Sequence, residues 1–383
     1  MSETRYRCAA AASFGLESLV RSELESLGIT GASAEDRRVF FEGSAAEIAR
    51  CNIALRTADR VLIQVAEFPA PDFESLYEGV RAVAWKDLLA PSPQVTVDAR
   101  SVRSRLTAIP SLQSVAKKAI VDVMCGARPG SRSSGRMAET GPRYDVELAL
   151  RADRASVCID TTGPGLHKRG YRRETGEAPL RENLAAALVL LSRWDPSRPF
   201  ADPLCGSGTI PIEAALIAGH VAPGISRSFA AEQWPLFPAA VWAEERERAR
   251  AGEQRGAEAS IAASDRDGAM VKAAKATAGR AGVAERIRFR AAPLEAFVPD
   301  GEYGCMVCNP PYGQRMGDQR ESHALYRAMG GLYRRLPTWS LFVLAAEEGF
   351  ERLFGARASR NRKLYNGNLR CWCYQYFGPL PRG

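Results

Sequence analysis

Two stretches of the chain combine acids, glycines and prolines at spacings that serve chemistry better than packing. In the first, Asp202-Pro203-Leu204-Cys205-Gly206-Ser207-Gly208-Thr209 follows the apolar Phe200-Ala201 and leads into an Ala/Leu/Ile-rich run with Pro211 near its start. A strand ending in an acid, a glycine turn and a helix together let the backbone approach a ligand closely, with free amides at the helix start. Thr209 reads as the N-cap and Gly219 as the helix stop. A P-loop wants a lysine after the second glycine, and none follows Gly208. A dinucleotide fingerprint wants a third glycine where Pro211 stands, and an acid about 20 residues on; the acid here, Asp265, is much further away. S-adenosyl-L-methionine fits better, because its sulfonium carries no phosphate and favours acids over a basic cradle. The ordinary alternative is a tight strand–helix turn.

The second stretch narrows the choice. Met306-Val307-Cys308 is a short apolar strand that ends in Asn309-Pro310-Pro311-Tyr312-Gly313. Two successive prolines fix the backbone. The Asn309 side-chain oxygen and the Pro310 carbonyl can then both accept from one planar NH2 group, while Tyr312 offers a face for a base to stack on. That arrangement suits methyl transfer to an exocyclic base amine. A proline-rich turn after a strand is the bland reading, and it loses weight beside the glycine turn upstream.

Elements must deliver these two turns to one place. The chain has 383 residues, 46% of them hydrophobic and 25% charged, enough for two or three domains with a buried core. Net charge is +8, compatible with an anionic partner such as nucleic acid and equally with simple solubility. A signal-peptide h-region and a transmembrane-length apolar run are both missing, which points to a cytosolic protein with no membrane partner. The 9 cysteines sit mostly in apolar strand or helix contexts, as free thiols would. Cys305 and Cys308 should point to opposite faces of their strand, whereas Cys371 and Cys373 share one. With 3 histidines and no ligand spacing, no metal is expected.

Periodicity gives an α/β chain. A small domain over residues 1–66 alternates strand and helix, with Leu16, Leu19, Val20, Leu24 and Leu27 on one helical face. In 67–160 a helix from Phe73 to Trp85, a strand from Gln94, a helix from Ser111 to Met124 and a hairpin at Ala152-Asp153-Arg154 follow. Pro129 to Pro142 reads as a mobile Gly/Ser/Arg-rich loop. Arg103, Arg105, Lys117 and Lys118 could grip a phosphate backbone, or be solvated surface charge. Residues 161–182 read as a linker in which His167, Lys168, Arg169, Tyr171, Arg172 and Arg173 mix basic and aromatic groups, suiting RNA contact or interdomain packing. In 183–383, βα units imply a parallel, doubly wound sheet with an antiparallel closing strand from Leu369. Lys363 to Asn368 reads as a turn, and the stretch between His220 and Ser260 as an insertion.

With both turns, the Leu166-His167-Lys168-Arg169-Gly170-Tyr171-Arg172 segment and Lys363-Leu364-Tyr365-Asn366-Gly367 in view, the chain resembles the large-subunit rRNA guanine-N2 methyltransferases, and more closely the guanine-N2 half of RlmL and its single-domain relatives. The resemblance runs nearly end to end. It implies a ferredoxin-like subdomain and a THUMP RNA-binding domain ahead of a class I (Rossmann-like) methyltransferase domain. It also implies that Asp202, Pro203, Cys205, Gly206, Ser207, Gly208 and Thr209 hold S-adenosyl-L-methionine with Asn309, and that Asp265 bonds its ribose hydroxyls. Asn309, Pro310, Pro311 and Tyr312 would hold the target base. The expected substrate is a purine amine of 23S rRNA, or of a ribosomal precursor. Alternatives are adenine N6 of RNA or DNA, and an RNA-binding assembly factor that has lost turnover. Pro293 stands where the family usually places an aspartate near the cofactor adenine.

Overall fold

The structure is a computed structural model that describes residues 4–127, 137–172, 180–254, 259–312 and 318–381. Arg173, Gly313 and most of the Pro129–Pro142 loop lie outside these residues. The chain runs β1 (Tyr6–Ala12), α1 (Glu17–Ser26), β2 (Ser33–Glu35), β3 (Arg38–Gly43), α2 (Ala45–Ala54), β4 (Ala58–Pro69), α3 (Phe73–Arg81), α4 (Trp85–Leu88), β5 (Gln94–Val102), α5 (Ile109–Met124), β6 (Arg143–Arg151) and β7 (Arg154–Asp160). Then follow α6 (Glu182–Leu191), β8 (Phe200–Asp202), α7 (Thr209–Ala218), α8 (Ala239–Ala251), β9 (Ile261–Asp265), α9 (Gly268–Arg280), β10 (Ile287–Ala291), β11 (Cys305–Cys308), α10 (Asp318–Arg335), β12 (Ser340–Ala345), α11 (Phe350–Phe354), β13 (Arg360–Asn366) and β14 (Leu369–Tyr376).

The chain forms two compact units, one of residues 1–11, 21–166 and 228–248, the other of 12–20, 167–227 and 249–383. The first is built on a seven-stranded sheet in the order β2-β3-β1-β4-β7-β6-β5. The expected boundary at residue 66 falls inside β4, which lies between β1 and β7 in one continuous sheet. The inserted segment joins this unit too. Trp234 stacks on the buried Tyr144 at 4.5 Å and its indole N–H donates to the Arg143 carbonyl at 3.0 Å. On α8, Glu245 accepts from Nε and Nη2 of Arg50 at 2.8 and 2.9 Å, a bidentate pair with defined geometry. The expected single helix from Phe73 to Trp85 is instead α3 and the short α4, separated at Ala82–Ala84.

The second unit carries the order β10-β9-β8-β11-β12-β14-β13, with β8 to β12 parallel and β14 antiparallel to β12. Alternation along the strands splits the core into two layers. Phe200, Cys305, Val307, Phe342, Leu344, Cys371 and Cys373 join α6 and α7 on one side, with Leu16 from the N-terminal helix region. Ala201, Met306, Cys308, Leu341, Val343, Tyr374 and Tyr376 join α10 and α11 on the other. Cys305 and Cys308 thus face opposite layers and Cys371 and Cys373 the same one, as period two requires. The stretch Lys363 to Asn366, expected as a turn, belongs to the edge strand β13, whose hairpin to β14 pairs Asn366 with Leu369.

Candidate active site

Strand order decides what can meet. β8 is flanked by β9 and β11, and the chain leaves it first toward β9 and β10, then returns to β11 and β12. Ligand sites in such sheets lie at the carboxyl ends of the strands where this reversal occurs. Asp202 ends β8, Asp265 ends β9 and Asn309 follows β11, so three independently read residues lie at adjacent strand ends.

The glycine turn is tightly built. Gly206 and Gly208 have φ of +49° and +82°, a region costly to residues with a Cβ. Gly208 occupies the N-cap of α7 and Thr209 its first turn, so the cap expected at Thr209 falls one residue earlier. A Cβ on Gly208 would come within 2.9 Å of the Ala274 Cβ, so α9 closes against the turn. The amides are less free than expected: Cys205 donates to the Ser264 carbonyl at 2.9 Å, Gly208 to the Cys205 carbonyl at 2.7 Å, and Gly206 to Asp265 Oδ2 at 2.9 Å. Asp265 also accepts from the Asp267 amide at 3.0 Å, tying the β9 end to the start of α9. Asp202 accepts from the Leu204 amide at 3.1 Å. Burial, with the nearby Asp265 charge adding, pushes its carboxyl up to about 8.

One further residue fits an adenosyl-methionine cofactor, and a second adjoins the turn. Ser264 Oγ is buried with no hydrogen-bond partner among the described residues, next to Asp265. Met270, missed in the sequence because a lone methionine carries no pattern, is partly exposed, its methyl 3.9 Å from where a Gly206 Cβ would stand. Beyond β10, Ala292 donates to the Asp265 carbonyl at 2.9 Å, and Pro293 starts a short turn that buries Leu294.

The second turn shows an arrangement the sequence did not announce. The Tyr312 hydroxyl donates to Asn309 Oδ1 at 2.5 Å, so the acceptor expected for the base amine is engaged by its own neighbour. The same hydroxyl contacts the Asn366 and Cys371 side chains of the β13–β14 hairpin, and burial pushes its pKa up strongly. Pro310 is buried, and the Pro311 carbonyl accepts from the Tyr326 hydroxyl at 3.1 Å.

The basic residues fare differently. Lys117 pairs with Glu139, Lys118 with Asp122 and Arg105 with Asp153, while Arg103 is exposed. Within the segment read as a linker, the chain passes from the first unit to the second at Leu166 and His167. Lys168 is exposed and His167 half-buried. Arg169 and Tyr171, for which RNA contact or packing was expected, are both buried in the second unit, the placement that packing requires. Tyr171 donates to Glu213 Oε1 on α7 at 2.9 Å and Arg169 Nε reaches the same oxygen at 3.4 Å. A buried glutamate requires such partners. Arg172 is likewise engaged, bonding the Thr209 hydroxyl, the Leu180 carbonyl at 3.3 Å and Glu182 at 3.5 Å, so it braces the cofactor turn.

The fold and its order of domains recur in known proteins. Residues 169–375 match the family model described as RMKL-like methyltransferase domain, residues 7–62 the RlmL ferredoxin-like domain, and residues 70–160 the THUMP domain. The "Putative RNA methyltransferase YpsC" of Bacillus subtilis (strain 168) is 40% identical over 376 residues, 98% of this chain and 97% of that protein. The crystal structure of "a predicted N6-adenine-specific DNA methylase from Listeria monocytogenes str. 4b F2365" is 43% identical with a TM-score of 0.92, covering 98% of this chain and 97% of that one. That of "SMU.472, a putative methyltransferase complexed with SAH" is 40% identical with a TM-score of 0.91, covering 100% of both. The chain therefore belongs to the family of RMKL-like methyltransferases that carry an RlmL-type ferredoxin-like domain and a THUMP domain.

Proposed function

We propose that this protein methylates the exocyclic N2 amine of a guanine in large-subunit ribosomal RNA, with S-adenosyl-L-methionine as the cofactor. The observation that carries the reading is the placement of Asp202, Asp265 and Asn309 at the ends of three adjacent strands. A relative of 40% identity is described with S-adenosyl-homocysteine, the product of such a transfer. The THUMP domain and the RNA methyltransferase relative favour RNA over DNA. Guanine N2 over adenine N6 rests on the resemblance of the Leu166–Arg172 segment to rRNA guanine-N2 enzymes, since two acceptors suit either amine.

The cofactor, when bound, supplies a methyl group on a cationic sulfur, so the protein must chiefly position its nucleophile in line. Asn309 Oδ1 and the Pro310 carbonyl accept the two amine protons and thereby favour development of the nitrogen lone pair. For that, Tyr312 must release Asn309, and its freed ring then packs on the base. The base enters unpaired or flipped out of its helix. Asp265 accepts from the ribose hydroxyls, as the resemblance implies, Asp202 ends the strand beneath the turn, and Arg172 steadies Thr209.

Incubating the protein with rRNA from cells lacking it and with methyl-labelled cofactor, then resolving nucleosides, tests the reading. Labelled N2-methylguanosine is expected; labelled N6-methyladenosine would move the target, and unlabelled RNA would overturn the substrate class. Asn309→Ala should cut transfer at least tenfold while RNA affinity holds, because it removes an acceptor at the reacting amine. Equal turnover by the variant would remove Asn309 from this role.

A further inference from the structure

At the β13–β14 hairpin the second unit exposes a cluster that neither its core nor the candidate active site uses. Phe14 is 46% exposed, although the adjacent Leu16 and the facing Leu364 are fully buried. Lys363 and Tyr365 flank Leu364 on β13, so alternation turns both away from the core. The Phe14 and Tyr365 rings stand perpendicular with centroids 5.9 Å apart. The Lys363 ammonium lies 5.9 Å from the first centroid and 5.5 Å from the second.

This corner is preformed. Gly15 turns the chain with φ +85°, and a Cβ there would fall 2.8 Å from the Lys363 carbonyl, so the loop before α1 lies directly on β13. Its amide donates to Glu17 Oε2 at 2.9 Å. Lys363 is exposed and has no acidic partner among the described residues. The next residue after Tyr365, Asn366, contacts the Tyr312 hydroxyl of the base-holding turn. A perpendicular aromatic pair beside a cation that has no acidic partner matches one ligand chemistry: the base and phosphate of a single-stranded nucleotide.

We propose that Phe14, Tyr365 and Lys363 form a stacking platform for an unpaired ribonucleotide flanking the target base. The inference rests on the RNA-methylation reading above and extends it from the reacting base to its neighbour. A base stacks on the exposed ring, Lys363 meets its phosphate, and the Asn366–Tyr312 contact joins the platform to the turn that holds the target.

Binding of a fluorescein-labelled 12-nucleotide oligouridylate to the full-length protein tests this. Phe14→Ala and Tyr365→Ala should each weaken binding about tenfold, in line with alanine substitution at stacking platforms. Affinity for S-adenosyl-homocysteine and melting temperature should stay as in the wild type. Phe14→Trp should restore affinity, and its added emission should be quenched by the oligomer but not by an abasic analogue of equal charge. Lys363→Gln should lower the salt dependence of binding by roughly one phosphate contact. Alanine variants that bind like the wild type, or added indole emission in Phe14→Trp that the oligomer leaves unquenched, would overturn the platform. If the wild type methylates RNA in that event, the platform alone falls; if it labels no RNA, the underlying reading falls with it.

Discussion

Asp202 carries a consequence that pH can expose. Its folded pKa of about 8, set first by burial, lies well above the unfolded value of about 3.9. The folded chain therefore keeps a proton that the unfolded chain releases. This contribution to stability is full below about pH 4 and is lost as pH rises toward 8. Asp202→Asn removes it, so cofactor-free wild type should lose denaturation midpoint relative to the variant between pH 5 and 8. Parallel profiles would contradict the assignment. Asp265 gives a second test: its carboxylate holds the Gly206 amide and faces the cofactor turn. Losing charge-assisted bonds of about 1.5–3 kcal/mol should weaken S-adenosyl-homocysteine by one to two decades in Asp265→Ala, measured by calorimetry. The strand-end positions of both acids were legible in the sequence, because an apolar run stops at each. The roles of Arg169 and Tyr171 were not, because their burial depends on Glu213, on a helix far along the chain.

At the scale of elements, the α10–α11 contact shows how one missing Cβ sets a packing distance. A Cβ on Gly330 would fall 1.8 Å from the Phe354 carbonyl oxygen, whereas one on Gly331 would meet nothing within 4 Å. Gly330→Ala should force the two helices apart and cost about 1–3 kcal/mol or more, as overpacking does. Gly331→Ala should instead stabilise by about 0.4–1 kcal/mol, since alanine suits a helix interior and restricts the unfolded chain. Urea midpoints moving in opposite directions are the expected result; equal shifts would refute the contact. Periodicity gave the βα units of the second unit their order, because strands buried on both faces read as apolar runs. It missed β13, where Arg360-Asn361-Arg362-Lys363 has the charged character of an edge strand. It also missed α11, five residues long and held by aromatic contacts such as Phe350 on Tyr374 at 4.7 Å.

Over the whole molecule, the two units are not two consecutive lengths of chain, and this changes what a fragment can do. A linker over 161–182 would place a cut near residue 162, with the residues expected to hold the cofactor all in the C-terminal piece. The second unit, however, takes residues 12–20 from the N-terminal region, and the first takes 228–248 from the C-terminal one. Leu16 is fully buried among Leu364 and the helices of the second core, with Leu19 packed against it. Deleting a buried leucine costs about 2–5 kcal/mol through lost transfer energy and the cavity left behind, a large share of the roughly 5–15 kcal/mol that holds a typical domain. The same cut leaves Trp234, Phe237 and Trp242 attached to the fragment, although they are buried with the first unit. Trp234 would lose its stack on Tyr144, and the exposed aromatic segment should promote aggregation. A 162–383 fragment is therefore expected to be aggregation-prone, to melt well below the full chain and to bind S-adenosyl-homocysteine poorly. In the full chain, Leu16→Ala should reproduce the lower melting temperature without the aggregation. A soluble fragment that unfolds cooperatively at the full chain's temperature and keeps its cofactor affinity would show that residues 12–20 add nothing to that core.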